Sequence, residues 1–558
     1  MPTTKVPELY QLCLENLVHN GEFWLKKKAD KKSSQPLNNS FESLPSSFQQ
    51  DLLDTYERIH SHPGRCSFWQ EQQEKWRLFV TSQVCKLTIT EYTEKASLLH
   101  IAATCRNLKH LELKYVKEVL SYLKAISPCL CTIVTLDFET MAHVNSTSLK
   151  YIRNRCPKLR VLILRSCFLT DKSISQLKHL PTLTELDLRD TEVTAAGVSH
   201  VLRNNPQLRT LLHPEVGRAL QKMHSAKTWL VRVEMSLFAQ TANYRLREIE
   251  LELCTKDHCN MLAMVVLVCP HIERVRVEFD ARISSQALLP LAKLKRLSQL
   301  DVQCISSGNR KPWEEHQSES MTLFEGSIVP ILKSHGNQLS TVSLEGIVGV
   351  NMKILQDLCT RLMTLGLYYN WYLHDSFPLP KDLKASKPFP TLKRLLFGSN
   401  FGNDDFPAVY LEWLLSNANL EELSLSASPL FTDDLFTRVF ANSLSFPHLR
   451  SLELAYCNVT PELIVEFLAR CGRKALQKLS ICGPFVREQA PPAMCYIICE
   501  KLDVHVEAYS YSFVKIKKRI VRYKQDLSFV SSPQHSLESR HHHPYLDVKK
   551  QWRQDFQC

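Results

Sequence analysis

Glycine is scarce in this sequence, with 14 residues in 558. The sequence contains no glycine-rich phosphate loop, no G-x-S-x-G turn of the hydrolase type and no H-E-x-x-H helix of the metalloprotease type. These motifs supply the geometry for phosphate binding, acyl transfer and zinc-dependent hydrolysis. The sequence therefore predicts a protein that is not an enzyme and that uses no cofactor and no small-molecule ligand.

Long apolar runs are missing as well. The longest is the run Met261–Cys269, which is about half of the length that a membrane-spanning helix needs. The first ten residues lack the basic flank and apolar core of a signal peptide. We therefore expect a soluble intracellular protein, cytoplasmic or nuclear, with no membrane partner.

Metal-binding cysteine patterns are absent, although the chain has 19 cysteines. The close pairs Cys129/Cys131 and Cys254/Cys259 have no second matching pair, and His541–His543 lie in a polar stretch. Most cysteines fall inside apolar patterns, where a free thiol behaves as a small hydrophobic side chain. The sequence predicts reduced, mostly buried cysteines and no metal site.

Charge of one sign does not dominate, since the net charge is +12. A charge of this size on a long chain is typical of a solvated surface, and it is also consistent with an acidic partner. The stretch from Tyr509 to Lys524 alternates aromatic and basic residues. A terminal strand or helix with one basic face explains this stretch better than a nucleic-acid surface, so nucleic acid is not among the expected partners.

What the sequence does contain is a repeat. The pattern L-x-x-L-x-L recurs about every 25 residues, with isoleucine, valine or phenylalanine also allowed at the apolar positions. Six clear copies start at Leu108, Leu159, Leu183, Leu246, Leu420 and Leu449, and nine weaker ones start at Val84, Ile133, Leu208, Ile272, Leu297, Leu339, Leu362, Leu392 and Leu476. Alternation such as that of Leu452 and Leu454 predicts a short strand with one buried face.

The residues after each strand complete the repeat pattern. Three places after the last strand leucine, the repeat favours asparagine or cysteine, and Cys167, Cys254, Asn400 and Cys457 stand there. Helical spacing follows, and several helices end at a cysteine, as at Cys156. The pattern resembles the cysteine-containing class of leucine-rich repeats. It predicts an α/β fold, a curved leucine-rich-repeat solenoid with parallel strands inside and helices outside.

The predicted organisation has five parts. They are a helical adaptor-binding segment at 1–60, a linking helix or cap at 61–83, the repeats at 84–485, a C-terminal cap at 486–524 and a disordered tail at 525–558.

Two short motifs precede the repeats. Leu9, Cys13 and Leu17 recur every four residues and therefore share one stripe of a helix. A second ridge is formed by Leu44, Phe48 and Leu52, with Pro45 suited to the first turn of its helix. Both helices either cap the first repeat or dock onto another protein.

The two motifs resemble known adaptor-binding sequences. L-x-x-x-C-x-x-x-L is similar to the BC box that inserts into elongin C, and L-P-x-x-F-x-x-x-L is similar to the cullin-2 box that follows it. Together with the repeats they resemble the VHL-box, PRAME-like and Zyg-like substrate receptors of cullin-2 ubiquitin ligases. The resemblance implies that Leu9, Cys13 and Leu17 contact elongin B/C, and that Leu44, Pro45, Phe48 and Leu52 form the cullin-facing ridge.

A neighbouring family uses the same residues differently. The Leu44–Pro45 start also resembles an F-box, whose later tryptophan would be Trp69 or Trp76. This resemblance implies a Skp adaptor and cullin-1 in place of elongin and cullin-2. A third alternative is a non-enzymatic repeat scaffold or regulator whose opening helices are only a cap.

The predicted substrate surface is the inner face of the sheet, where the residues between the strand leucines point outward. Charged candidates on this face are Arg189, Glu250 and Arg276, and an aromatic cluster contains Tyr368, Tyr369 and Trp371. Aromatic clusters are typical anchors of protein interfaces. We therefore expect a protein substrate.

Overall fold

The computed structural model forms two compact units, Met1–Val459 and Thr460–Cys558, and each is described by itself. The residues that it describes are 6–20, 40–60, 66–116, 118–139, 144–224, 244–253, 258–280, 284, 286–305, 322–370, 388–399, 406, 408–417, 419–426, 428, 431–440, 446–455, 457–460, 463–464, 467, 476, 478–482 and 505–509.

One parallel sheet runs through the described part of the first unit. Its strands are β1 Lys86–Thr90, β2 His110–Lys114, β3 Thr135–Glu139, β4 Val161–Ile163, β5 Glu185–Asp187, β6 Thr210–Leu212, β7 Glu248–Leu253, β8 Arg274–Asp280, β9 Gln299–Ile305, β10 Thr341–Glu345, β11 Thr364–Tyr368, β12 Arg394–Gly398, β13 Glu422–Ser426 and β14 Ser451–Ala455. Each strand pairs in parallel with the next one along the chain. In the second unit, β15 Lys478–Cys482 pairs in parallel with β16 His505–Tyr509.

Helices alternate with the strands. They are α1 Val6–His19, α2 Ser46–His60, α3 Cys66–Phe79, α4 Lys95–Thr104, α5 Val119–Ala125, α6 Ser146–Arg155, α7 Asp171–Ile174, α8 Ala195–Asn204, α9 Val216–His224, α10 His258–Val268, α11 Val329–His335, α12 Met352–Leu358, α13 Ala408–Leu415 and α14 Asp433–Phe440. Short 3₁₀ turns occupy Ser40–Ser43, Ser127–Thr132, Ser175–Leu177 and Leu289–Lys293, and a π-helical turn occupies Phe324–Ile328.

The strands form because apolar residues alternate with polar ones. In β10, for example, Val342 and Leu344 are buried, whereas Thr341, Ser343 and Glu345 lie on the open face. The core lies between this buried face and the helices, and it consists mainly of leucine, isoleucine and valine. The predicted α/β leucine-rich-repeat solenoid is confirmed, and each of the fifteen predicted copies contains a strand.

A sixteenth strand, β16, was not predicted. It lies in the segment 486–524, which was expected to form a C-terminal cap. The strand has Val506 and Ala508 in place of the strand leucines, so the leucine pattern does not detect it. The predicted tail at 525–558 lies outside the described residues.

The helix-closing cysteines are core residues, as predicted. Cys105, Cys156, Cys269 and Cys359 each follow the last residue of a helix and are almost completely buried. Burial raises the pKa of the Cys105, Cys156 and Cys359 thiols to about 12. These thiols are therefore neutral packing groups at neutral pH.

The turn after the strands repeats one backbone conformation. The second residue after the last strand leucine has a positive φ at Tyr115, Ser166, Asp190, Gly346 and Tyr369. A residue in the left-handed backbone conformation lets the chain turn sharply away from the sheet. This conformation costs free energy for residues other than glycine.

The residue after this left-handed position can form hydrogen bonds with backbone groups of the turn. Asn370 Oδ1 accepts from the Ile347 amide at 2.8 Å, and Asn370 Nδ2 donates to the Leu344 carbonyl at 2.8 Å. Cys167 and Cys457 are buried at the equivalent place, as predicted. Cys254 and Asn400, also predicted there, lie outside the described residues.

Candidate functional site

The N-terminal end of the sheet is covered by α2. Gln50 of this helix accepts hydrogen bonds from the Cys85 and Lys86 amides at 3.0 and 2.9 Å, and it donates to the Lys86 carbonyl at 2.9 Å. A side-chain amide thus supplies the hydrogen bonds that a preceding strand would otherwise make. Helix α2 is therefore a cap of the solenoid.

An apolar core joins α2 and α3 to the first repeat. Leu53, Tyr56, Trp76 and Phe79 are each at most 1% exposed. The rings of Tyr56 and Phe79 lie 5.1 Å apart. Leu52 is also buried, with an exposure of 1%, and by its position in the helix it shares the stripe of Phe48, which contacts Tyr10 of α1.

A half-buried carboxyl group, that of Glu57, lies in this cap. Trp76 Nε1 donates to Glu57 Oε1 at 3.2 Å. Burial raises the pKa of Glu57 to about 8, and the nearby carboxylates of Asp54 and Glu112 add to the effect, whereas the Trp76 hydrogen bond and Lys86 oppose it. Protonation of Glu57 therefore favours the docked cap.

Helix α1 lies on the outer side of α2 and uses a different stripe from the predicted one. Leu14 and Val18 are 2% and 6% exposed and form the packed face. The Tyr10 hydroxyl donates to Asp51 Oδ2 at 2.6 Å, and the Tyr10 ring meets the Phe48 ring edge-on at 5.5 Å. Partial burial and this hydrogen bond raise the pKa of Tyr10 to about 12. The sequence signal for this face was the i, i+4 pair Leu14 and Val18.

The predicted BC-box stripe lies about 100° around α1 from the packed stripe, because Leu9, Cys13 and Leu17 each directly precede one of its residues. Cys13 is exposed and Leu17 is half-buried. Leu9 shares this stripe by its position in the helix, but its side chain lies outside the described residues. Of this stripe, Cys13 is therefore open to solvent and Leu17 is partly covered.

The start of α2 lies beside α1. Pro45 is exposed, and Leu44 and Phe48 are half-buried, with Phe48 in contact with Tyr10 of α1. The two opening motifs are thus brought together on the same end of the molecule. We call Cys13, Leu17, Leu44, Pro45 and Phe48 the α1–α2 surface.

On the open face of the sheet, the predicted basic residues are engaged by neighbouring carboxylates. Arg189 Nη2 lies 2.5 Å from Asp187 Oδ2, and Arg189 Nε lies 3.8 Å from Glu250 Oε2. Arg276 Nε lies 3.6 Å from Asp301 Oδ2. Burial is the main cause that raises the pKa values of Glu250 and Asp301, and their neighbouring arginines oppose it. Each of these arginines therefore forms ion pairs with neighbouring carboxylates and is also partly exposed to solvent.

The predicted aromatic cluster is only partly described. Tyr368 and Tyr369 are half-buried with ring centroids 6.4 Å apart. A side chain on Gly398 would meet the Tyr368 ring at 3.0 Å, so the ring lies against β12. Trp371 lies outside the described residues. The two tyrosines are three strands from Arg276, about 14 Å across the sheet.

The described residues also bear on membrane and metal sites. Among the helices described, none is both long and apolar enough to cross a membrane. In the same part of the chain, no group of three histidine, cysteine, aspartate or glutamate residues is arranged to hold a metal ion.

Comparisons with known proteins agree on the repeat. A family model described as "Leucine Rich repeat" matches residues 179–201 and 447–462. A transport inhibitor response 1-like protein of Oryza sativa subsp. japonica is 33% identical over 113 residues, which are 19% of this chain and 19% of that protein. The chain thus matches about a fifth of the length of this curated relative.

Solved structures with related backbones have low sequence identity. The complex of Rad7 and Elc1 from yeast contains a chain with 13% identity and a TM-score of 0.41, covering 88% of this chain and 96% of that one. An internalin from Listeria monocytogenes has 16% identity and a TM-score of 0.33, covering 64% of this chain and 84% of that one. Likenesses at this level carry no argument about function.

Proposed function

We propose that this protein is the substrate-recognition subunit of a cullin-RING ubiquitin ligase. Helix α1 binds elongin B/C, the adjoining start of α2 contacts cullin-2, and the repeat solenoid holds a protein substrate. In this role the chain catalyses no covalent step, because ubiquitin transfer is accelerated by holding the substrate near a charged ubiquitin carrier.

The observation that carries the proposal is that α2 caps the sheet, whereas α1 is not needed as a cap. Gln50 and the buried core of α2 already cap the sheet, so α1 is not required for that purpose. Helix α1 nevertheless docks through Leu14 and Val18 and leaves Cys13 of the adjacent stripe exposed. An amphipathic helix with one face packed and part of a second apolar stripe exposed is suited to a partner groove.

A Skp adaptor is the second candidate, and the start of α2 favours it. Pro45 is exposed and Leu44 is half-buried, as an F-box-like Leu-Pro start would require. In this arrangement α2 and α3 bind the adaptor, and α1 only supports α2.

A binding assay with purified adaptors tests both candidates. The whole chain is mixed separately with elongin B/C and with the Skp adaptor, as wild type and as Leu9→Ser/Cys13→Phe. We expect binding to elongin B/C that the double substitution reduces at least tenfold, because it disrupts the predicted BC-box stripe. The matched control is His19→Ala, which changes an exposed residue of the same helix outside the stripe.

The other outcomes separate the alternatives. Binding to the Skp adaptor that Pro45→Asp abolishes, with no binding to elongin B/C, supports the F-box-like arrangement. Binding to neither adaptor contradicts the ligase proposal and leaves a repeat scaffold. Circular dichroism of each variant checks that the helices remain folded.

A further inference from the structure

We infer that the edge of the sheet at which strands β2 to β6 begin binds an acidic, extended segment of a partner protein, with an apolar residue near the centre of that segment. The inference rests on the proposed function in one respect, because the segment is assigned to the substrate. It is carried by a row of exposed basic side chains, whose order the backbone hydrogen bonds fix, and by two apolar residues beside this row.

Basic residues recur in one row at this edge. The row consists of the residue that directly precedes each strand, and it contains Lys109 before β2, Arg160 before β4 and Arg209 before β6. All three are exposed. The Lys109 carbonyl accepts from the Val134 amide at 2.8 Å, and the Val134 carbonyl accepts from the Arg160 amide at 2.8 Å. The same ladder continues through Thr184 to Arg209, so the three basic residues occupy alternate strands of one row.

The turns that lead into this row are basic as well. Arg106 and Lys158 precede the row by a few residues, and both are exposed. The surface that we call the basic edge consists of Arg106, Lys109, Lys158, Arg160 and Arg209. Within the described ranges, no carboxylate forms an ion pair with any of these five side chains. The basic edge ends at β7, where Arg247 continues the row but its Nη1 lies 3.4 Å from Glu273 Oε1.

The strand residues next to the row bring one carboxylate to this edge. The first residues of β2 to β6 are His110, Thr135, Val161, Glu185 and Thr210. Glu185 is exposed, and the carboxylate that follows it in β7, Glu248, is paired with Arg274. Positive charge therefore exceeds negative charge at this edge, which favours an anionic ligand.

Two apolar side chains lie beside the centre of the basic edge. Strand β4 directly follows Arg160, and its open face consists of Val161 and Ile163, which are both half-buried. The neighbouring strands have polar residues at the paired positions, namely Thr135, Asp137, Glu185 and Asp187. An apolar side chain of the partner can bury surface on Val161 and Ile163 while its acidic neighbours reach Arg160.

The spacing of the basic residues is suited to an extended peptide. Lys109 and Arg160 are two strand intervals apart, about 10 Å, and so are Arg160 and Arg209. An extended chain rises about 3.3 Å per residue, so about three residues cover each interval. A guanidinium group can bind a carboxylate through two parallel hydrogen bonds. The segment therefore carries aspartate or glutamate at about every third position, with an apolar residue next to the central one.

A nucleic acid lacks its usual contacts at this edge. Single-stranded nucleic acids bind largely through aromatic side chains on which the bases stack. The turns and the row from β2 to β6, which are residues 106–110, 131–135, 157–161, 181–185 and 206–210, contain no phenylalanine, tyrosine or tryptophan. The edge is therefore suited to a protein segment and not to RNA.

Fluorescence anisotropy with the purified full chain tests the inference without any adaptor. The probe is a fluorescein-labelled peptide of about ten residues with glutamate at every third position, a leucine beside the central glutamate and serine elsewhere. The comparison probes replace the glutamates by lysines, replace the leucine by serine, or are a single-stranded polyuridine RNA. We expect the glutamate peptide to bind more than tenfold tighter than the lysine peptide, more tightly than the RNA, and more weakly as salt rises.

A triple variant locates the site. Lys109→Gln/Arg160→Gln/Arg209→Gln removes three positive charges from exposed side chains and should weaken binding of the glutamate peptide at least tenfold. Polar substitutions at exposed positions have little effect on stability, and circular dichroism checks that the variant is folded.

A matched control removes the same charge elsewhere. Lys333→Gln/Lys353→Gln/Arg361→Gln changes exposed side chains on α11, on α12 and before β11, and it should change the affinity less than twofold. Equal effects of the two triple variants would mean that binding follows the net charge of +12 and would overturn the inference.

Two further variants test the sign of the charge effect and the apolar contact. Glu185→Gln should tighten binding of the glutamate peptide, because it removes a carboxylate beside the row. Val161→Thr/Ile163→Thr keeps β-branched side chains in β4 and should weaken the leucine peptide several-fold more than the serine peptide.

Contrary outcomes are distinct from failure of the proposed function. No binding of the glutamate peptide, equal binding of the lysine peptide, tighter binding of the RNA, or an unaltered first triple variant each overturns the inference. Wild-type binding that does not weaken with salt also overturns it, and this test needs no variant. Elongin binding, measured on the same preparations, depends on α1, so its loss alone contradicts only the proposed function.

Discussion

Helices α1 and α2 have the same apolar spacing but are used in opposite ways. In α2 the last member of the ridge, Leu52, is buried, with an exposure of 1%. In α1 the corresponding stripe contains the exposed Cys13, while Leu14 and Val18 of the neighbouring stripe are buried. The comparison teaches that an i, i+4, i+8 pattern identifies residues on one face of a helix but does not tell what covers that face.

The largest effect should come from removing core volume in α2. Leu53→Ala leaves a cavity in a fully buried site, and we expect the free energy of unfolding to fall by about 3 kcal/mol. Leu17→Ala on the half-buried stripe of α1 should cost less than about 1 kcal/mol. Urea denaturation of both variants measures the difference. Equal losses of unfolding free energy in the two variants would contradict the view that α2 is a core helix and that this stripe of α1 is not part of the core.

A pH-dependent effect is expected from Glu57 of α2. Its folded-state pKa of about 8 is above its ordinary value of 4.5, so its contribution to stability is fully present below the ordinary value and is lost as the pH rises through 8. Each pKa unit corresponds to about 1.4 kcal/mol, and local relaxation should leave on the order of 2 kcal/mol.

Glu57→Gln should therefore be less sensitive to pH than the wild type. Urea midpoints at pH 5.5 and pH 8.5 measure this. The control is Glu74→Gln, because the Glu74 side chain is 88% exposed and should leave the wild-type pH dependence unchanged. A pH dependence that persists in Glu57→Gln would assign the effect to another group.

A smaller effect is expected where α2 meets β1. Gln50→Ala leaves the Cys85 and Lys86 amides without their side-chain acceptor, which should cost about 1 to 2 kcal/mol. Hydrogen exchange of these two amides should become faster. Gln83→Ala, at an exposed position before the same strand, provides the control and should leave their exchange unaltered.

The smallest effect should come from the contact between the helices. Tyr10→Phe removes the hydrogen bond to Asp51 but keeps the ring on Phe48, so α1 should lose about 0.5 to 1 kcal/mol of docking energy. Hydrogen exchange along α1 should increase while exchange in α2 stays constant. Tyr115→Phe, at an exposed tyrosine, is the control. Faster exchange in both helices would mean that α1 and α2 open together.

Much of the fold was predictable because the strand signal is local. Leucines such as Leu452 and Leu454 alternate within one short segment, and the same spacing returns in every repeat. Strand β16 was missed because Val506 and Ala508 replace the leucines. The left-handed turn at Tyr115 was also missed, since tyrosine does not indicate a positive φ.

The candidate sites were less predictable because they depend on contacts between distant parts of the chain. The sequence does not reveal that Gln50 bonds to the Lys86 backbone. Nor does it reveal that Arg189 pairs with both Asp187 and Glu250. Whether the α1–α2 surface binds an adaptor stays a prediction.

The hydrogen bonds of the Gln50 side-chain amide affect how molecules of this protein interact with one another at high concentration. A first strand with bare amides and carbonyls would be a template for the edge of another molecule. Gln50 occupies the start of that edge, and Thr93 Oγ1 accepts from the Thr90 amide at its end. The cap thus blocks strand addition at β1, and it protects the chain from edge-to-edge aggregation there.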